Sequence, residues 1–299
     1  MKHFLEISQL TVHQINSLLE RALQFKALQQ FPGFPKQSVA NLFYENSTRT
    51  RVSFELAARR LSMEVINFNL EQSSENKGEL IEDTIQTLTA MGIHYYVIRH
   101  KQEGLQQHLA DRFGGLIHII NAGDGMHAHP SQALLDMMTI KELKPDVTQL
   151  KIAIVGDIKH SRVANSFQCI CKKLGVGQLV LVAPKIWQPT SVHYGYVTQD
   201  LKEGVLDADV VMCLRVQQER LKAADHLDLN TYIRDYAITA SKLLHAKPGA
   251  LVMHPGPINR AIEIAAEVAD GPQSVILQQV NNGVYARMAI LESLIVSSD

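Results

Sequence analysis

The chain has 299 residues, 46% hydrophobic and 20% charged, the balance of an ordinary globular protein, which excludes disorder and low complexity. Lys plus Arg (29) nearly cancels Asp plus Glu (30), leaving a net charge of -1, so no general attraction to nucleic acid or an anionic membrane is expected. At about 150 residues per domain two domains are expected, and a chain of this length buries about three quarters of its unfolded surface, enough to fold without disulfides or metal.

The N-terminus, Met1-Lys2-His3-Phe4-Leu5-Glu6, meets an acid before any apolar run develops. It does not read as a secretory signal. No stretch approaches the ~18 uninterrupted apolar residues of a membrane span, and the expected location is the cytoplasm. Thr11 can cap a first helix in which Val12, Ile15, Leu18, Leu19, Ala22, Leu23 and Phe25 fall at helical spacing, with Pro32-Gly33 closing the region. Strands then alternate with helices. The spacing predicts strands over 39–44, 65–68, 93–98 and 116–120, and helices over 50–61, 79–91 and 104–113. Pro130 opens a helix through Leu143 that Lys144-Pro145 ends.

The alternation restarts with a strand over 152–155, a helix over 161–174, and strands over 179–182, 210–214 and 251–253. A last helix over 284–296 has no strand after it and is expected to pack back on the first domain. Short apolar strands between helices indicate βαβ units and parallel sheets. The expected fold is α/β: two doubly wound parallel-sheet domains linked by helices, the first over 1–137 with the returning 284–299, the second over 138–283. Pro145 is the best boundary candidate by composition. The order of strands in a sheet is not legible from pattern. Of three cysteines, Cys169 and Cys171 share one helix and project in different directions, and with Cys213 they suit a reducing compartment and a packed core.

The most informative stretch is Ser47-Thr48-Arg49-Thr50-Arg51, between the first strand and its helix. A helix N-terminus presents unpaired N–H groups and the positive end of the dipole, a ready anion site. Three hydroxyls add donors, and Arg49 adds a planar fork suited to phosphate. An ordinary Ser/Thr cap with solvated arginines is the competing account. His127 and His129 stand two apart, but no third and fourth ligand follow at a recognisable spacing, so no metal is expected. Val155-Gly156-Asp157-Ile158 lacks both G-x-G-x-x-G and the Walker A pattern, so neither NAD nor ATP is expected; no cofactor is.

The stretch Phe43-Tyr44-Glu45-Asn46-Ser47-Thr48-Arg49-Thr50-Arg51-Val52-Ser53-Phe54-Glu55 resembles the carbamoyl-phosphate signature of the aspartate/ornithine carbamoyltransferases. The likeness continues, in the family's order, through Lys77-Gly78-Glu79, Arg99-His100, His129-Pro130-Ser131-Gln132-Ala133-Leu134-Leu135-Asp136 and Val155-Gly156-Asp157. It then runs through Leu214-Arg215-Val216-Gln217-Gln218-Glu219-Arg220 and His254-Pro255-Gly256-Pro257-Ile258-Asn259-Arg260. The segment 184–199 matches poorly, and no function is read there.

The resemblance implies transfer of the carbamoyl group of carbamoyl phosphate to an amino-acid amine, with no covalent intermediate or metal. It implies that Ser47, Thr48, Arg49 and Thr50 hold the phosphate, and that Arg99, His129 and Thr50 donate to the carbonyl oxygen. Gln132 would accept from the carbamoyl NH₂. Ser73 and Lys77 would enter the neighbouring subunit's site, which implies a homotrimer with shared active sites. The first domain is then the carbamoyl-phosphate half and the second the acceptor half. There Arg162, Arg215 and Gln217 would hold the amino acid, and Gly256 and Pro257 would offer carbonyls to its amine. The cysteine that marks the ornithine branch is missing from His254-Pro255-Gly256-Pro257, and the Lys77 loop matches the aspartate branch, so L-aspartate is the expected acceptor. Ornithine or another amino acid, or a catalytically silent paralogue acting as a regulatory or assembly subunit, are the alternatives. Regulatory or dihydroorotase partners are not legible.

Overall fold

Thr11 ends the extended N-terminal segment and starts helix α1 (Val12–Leu28). Its hydroxyl accepts from the Gln14 N–H at 3.1 Å while Gln14 Oε1 accepts from the Thr11 N–H at 2.8 Å, so two otherwise orphaned donors are satisfied reciprocally. The computed structural model describes residues 1–68, 78–217 and 227–297. They divide into two compact units, Met1–Met138 with Val280–Asp299, and Thr139–Gln279.

In the first unit the order is β1 (Ser38–Phe43), α2 (Thr48–Arg60), β2 (Glu64–Asn67), α3 (Ile81–Ala90), β3 (Tyr95–His100), α4 (Leu105–Phe113), β4 (His118–Asp124) and α5 (Pro130–Leu143). The four strands form one parallel sheet in the order β2-β1-β3-β4. Leu42, Ile98, Ile119 and Tyr96 are buried in its core. Their burial follows from helices covering the sheet, which is why these strands read as apolar runs and not as alternating patterns. The β3–β4 register shifts between Ile98 and His100, pairing them with Asn121 and Asp124. The additional residue in β4 lies opposite Arg99, a bulge at a sheet end of the kind that re-aims side chains.

In the second unit come β5 (Lys151–Val155), α6 (Arg162–Leu174), β6 (Gln178–Val182), β7 (Tyr196–Thr198), α7 (Leu201–Val205), β8 (Val210–Cys213), α8 (Leu229–Tyr236), α9 (Ala240–Leu243), β9 (Leu251–Met253), α10 (Ala266–Ala269) and α11 (Ile276–Val296). Its five strands are parallel in the order β7-β6-β5-β8-β9. Both units are doubly wound: the strand order reverses between β1 and β3 in one sheet, and between β5 and β8 in the other. The chain leaves the first unit inside α5, ahead of Pro145, and returns to it inside α11.

The last helix packs on the first unit, as its unpartnered pattern implies. Arg21 forks onto Glu292 at 2.6 and 2.7 Å, Lys26 Nζ donates to Asn282 Oδ1 at 2.8 Å, and the Arg60 guanidinium lies 5.1 Å from the Tyr285 ring. The helix begins at Ile276, two turns before the expected start. Gly283 inside it, with Asn281 and Asn282, masks the helical periodicity. No described helix is long and apolar enough to cross a membrane.

The N-terminal segment extends the first sheet beyond β4 through the parallel Phe4–Ile120 bridge. Beside it the Ile119 N–H donates to His3 Nδ1 at 3.2 Å. Burial, and then the neighbouring His118 and Lys2 charges, lower the His3 pKa from 6.5 to about 4. The unfolded chain therefore takes this proton first, and the native state loses stability as pH falls from 6.5 towards 4. His3→Gln keeps an acceptor that does not charge. Between pH 7 and pH 4.5 the wild-type Tm should fall further than that of the variant; parallel declines in thermal scans would contradict this.

Candidate active site

Ligands of doubly wound sheets sit beyond the carboxyl ends of the strands, where the strand order reverses. In the first unit that place is between β1 and β3. β1 ends at Phe43, which pairs with Arg99 of β3, and α2 starts at Thr48 with Ser47 as its N-cap. Ser47 makes no side-chain cap bond, so its hydroxyl is not spent on its own helix. Thr50 is buried, Arg49 is exposed, and Ser53 Oγ lies 2.6 Å from the Arg49 carbonyl and 3.0 Å from that of Thr50. The corner thus combines first-turn N–H groups, hydroxyls and a guanidinium, the components of a phosphate site.

Arg99 comes to the same edge. Its Nη1 donates to the Ala122 carbonyl at 3.4 Å, opposite the β4 bulge, and its Nε stands 3.3 Å from Glu45 Oε2. Glu45 sits in the turn between β1 and α2, so a carboxylate holds the guanidinium at the corner. The next strand, β4, leads into α5, with His129 immediately before its first residue and Gln132 in its first turn, both buried. Pro130 is suited to this start because its missing N–H is an orphan there anyway. Gln132 Nε2 donates to Asp136 Oδ1 at 2.9 Å. His127 lies outside this group and pairs instead with Glu6 at 2.8 Å. That contact raises the His127 pKa and lowers that of Glu6.

The second unit repeats the placement. Beyond β5, Gly156 donates its N–H to the Val182 carbonyl at 3.0 Å, and Ser161 caps α6 by accepting from the Ala164 N–H at 3.2 Å. Arg162, the first residue of α6, is buried. Beyond β8 lie Arg215, half-buried, and Gln217, whose Nε2 donates to the His160 carbonyl at 3.0 Å. Beyond β9, His254 Nδ1 accepts from the Gly256 N–H at 2.8 Å and its Nε2 faces Glu263 Oε1 at 3.1 Å. Glu263 Oε1 also accepts from the Asn259 N–H at 2.6 Å. One buried His–Glu pair therefore ties both arms of the Gly256-Pro257 turn, and Asn259 Nδ2 links that turn to the Val216 carbonyl at 3.4 Å.

Gly156 allows no side chain. Its φ is +134°, and a Cβ would stand 2.8 Å from the Leu214 carbonyl oxygen and 3.2 Å from the Tyr232 hydroxyl. Gly156→Ala should cost about 2 kcal/mol or more in urea unfolding; a loss below about 0.5 kcal/mol would mean the backbone relaxes freely.

Ser47–Thr50 and Arg99 thus lie at the switch point of the first sheet, and Arg162, Arg215 and Gln217 at that of the second; His129 and Gln132 follow β4 and Gly256-Pro257 follows β9, while Ser73 and Lys77 fall outside the described residues. Two partners went unread in the sequence. Asp157 is buried, its pKa raised by burial and drawn back by His160, whose Nδ1 lies 2.8 Å from it. Asp136, one helical turn from Gln132, carried a usable i,i+4 signal. Cys171 and Cys213 are buried, and burial raises both thiol pKa values, as suits core residues.

A family model described as the aspartate/ornithine carbamoyltransferase carbamoyl-P binding domain matches residues 2–142, and one described as the Asp/Orn binding domain matches 148–294. The chain is 68% identical over 297 residues to the aspartate carbamoyltransferase catalytic subunit of Legionella pneumophila strain Lens, covering 99% of this chain and all of that one. It also superposes on Trypanosoma cruzi aspartate transcarbamoylase, solved with carbamoyl aspartate and phosphate, with a TM-score of 0.89 and 30% identity. That match covers 98% of this chain and 96% of the other. Against ornithine carbamoyltransferase from Pyrococcus furiosus the TM-score is 0.86 and the identity 28%, over 97% and 96% of the two chains. With matching models over nearly its whole length, the chain belongs to the aspartate/ornithine carbamoyltransferase family.

Proposed function

We propose that this protein transfers the carbamoyl group of carbamoyl phosphate to the amine of L-aspartate, giving N-carbamoyl-L-aspartate and phosphate. The observation that carries this reading is the uncapped α2 corner at the reversal of the first sheet, with Arg99 of the adjacent strand at the same edge. The 68% identity to an aspartate carbamoyltransferase catalytic subunit and the missing cysteine in His254-Pro255-Gly256-Pro257 favour aspartate over ornithine.

In this mechanism the N–H groups and hydroxyls of Ser47, Thr48 and Thr50, with Arg49, hold the phosphate. Arg99, His129 and the Thr50 hydroxyl donate to the carbonyl oxygen, which gains charge as the amine adds. Losing one such donor typically costs about 10²–10³ in rate. Gln132 accepts from the carbamoyl NH₂. The amine nitrogen forms the new C–N bond and passes a proton to the departing phosphate. The C–O bond to phosphate breaks, and phosphate leaves with the electron pair while Arg49 stabilises its charge. Arg162, Arg215 and Gln217 hold the dicarboxylate, and the Gly256 and Pro257 carbonyls orient its amine. Holding both reactants in attack geometry removes most of the entropic barrier. The reaction so assigned is the committed step of pyrimidine biosynthesis, carried out in the cytoplasm.

Phosphate release measured with aspartate and with ornithine tests the assignment. Activity on aspartate alone is expected; activity on ornithine alone would overturn it. Carbamoyl phosphate binding without amine-dependent release would mark a silent paralogue.

The working unit is a homotrimer in which Ser73 and Lys77 serve the neighbouring subunit's site. Mixing inactive Lys77→Ala and Arg49→Ala chains should restore part of the activity, since some sites then receive intact copies of both residues. No recovery after verified subunit exchange would contradict sharing.

A further inference from the structure

A glutamine that recognises an NH₂ group must present its oxygen, yet the side chain can sit either way round, since its amide carries an acceptor and a donor of nearly equal size. We infer that Asp136 is a positioning residue that sets this polarity, holding the Gln132 nitrogen so that the amide oxygen is offered to the carbamoyl group. The inference rests on the reading of Gln132 given above.

The two residues stand one turn apart on α5, where i and i+4 side chains meet. Gln132 Nε2 donates to Asp136 Oδ1 at 2.9 Å. Asp136 is fully buried, and an ionised carboxylate only accepts. The amide must therefore turn its nitrogen to Asp136 and its oxygen away. A buried cation is its electrostatic partner: the Asp136 charge acts on Arg287 of α11 and favours its charged form. Burial lowers its guanidinium pKa to about 10, so it stays charged at neutral pH.

Arg287 is itself fixed from two other sides. Its Nη1 donates to the Gly283 carbonyl at 3.0 Å, and its guanidinium stands 5.0 Å from the Phe54 ring of α2. A Cβ at Gly283 would come within 2.5 Å of Nη1, so the glycine gives the guanidinium its room. The returning helix thus anchors a charge pair that ends on an amide in the first turn of α5. Breaking such a pair on one side leaves an uncompensated buried charge, whereas removing both charges is tolerated far better.

The test compares carbamoyl phosphate with acetyl phosphate, which carries a methyl in place of the NH₂, and with inorganic phosphate. Binding is measured by calorimetry without aspartate. Gln132→Ala and Asp136→Asn should each weaken carbamoyl phosphate by about tenfold and leave the other two ligands unchanged, because an asparagine at 136 can donate as well as accept and no longer dictates which way the amide sits. If Asp136→Asn does not fold, the double variant Asp136→Asn/Arg287→Met, with no unpaired buried charge, carries the same expectation. Discrimination lost in both residues' variants supports the inference. Discrimination lost in Gln132→Ala but kept without the carboxylate overturns it. Discrimination kept in Gln132→Ala refutes the role read for Gln132, and the inference falls with it. A purely structural role for Asp136 would weaken all three ligands together.

Discussion

Alanine at Arg49 should lower turnover by about 10²–10³-fold, the range seen when an enzyme loses one preorganised group that stabilises developing charge. The residue lies in the first turn of α2 and is exposed. Alanine is the strongest helix former, so the helix itself should persist, and the Tm of the variant should stay close to that of the wild type. Lysine should not rescue it, because a point charge cannot span two phosphate oxygens in the way a planar fork does. Initial rates at saturating aspartate, beside thermal scans, check both halves. A loss smaller than tenfold would mean that phosphate departs without help from this guanidinium.

Alanine at Arg162 should act on the other substrate. A bidentate arginine–carboxylate contact contributes roughly 3 kcal/mol, which is about 100-fold in affinity. KM for aspartate should therefore rise by about that factor while carbamoyl phosphate binding stays unchanged. Arg162 is buried, so a lower Tm is also expected, and the split between the two ligands separates recognition from general damage. Equal weakening of both ligands would argue for a structural role alone.

Much of this arrangement was legible in the residues, for reasons that differ from element to element. Thr11 and the apolar spacing after it announce α1 because a helix cap and a helical period are both local signals. The central strands β1, β3, β5 and β8 are apolar runs because helices cover both faces of each sheet. The Ser47–Thr50 corner was legible as a strand-to-helix junction because its residues are contiguous in the chain. β7 was not: three residues with half-exposed side chains leave no period to count. The strand orders, and with them the two switch points, depend on pairings between distant segments that no local pattern encodes. The roles of Glu45 beside Arg99, and of Arg287 beside Asp136, were hidden for the same reason. Each charge finds its partner through the fold, the second pair across about 150 residues of chain.

The most direct measurement of the central claim is a crystal structure of the protein soaked with carbamoyl phosphate. The phosphate oxygens should lie within hydrogen-bond reach of the first-turn N–H groups of α2 and of the Arg49 guanidinium, with the carbonyl oxygen towards Arg99. Clear density for the compound elsewhere, with the α2 corner holding only solvent, would contradict the account.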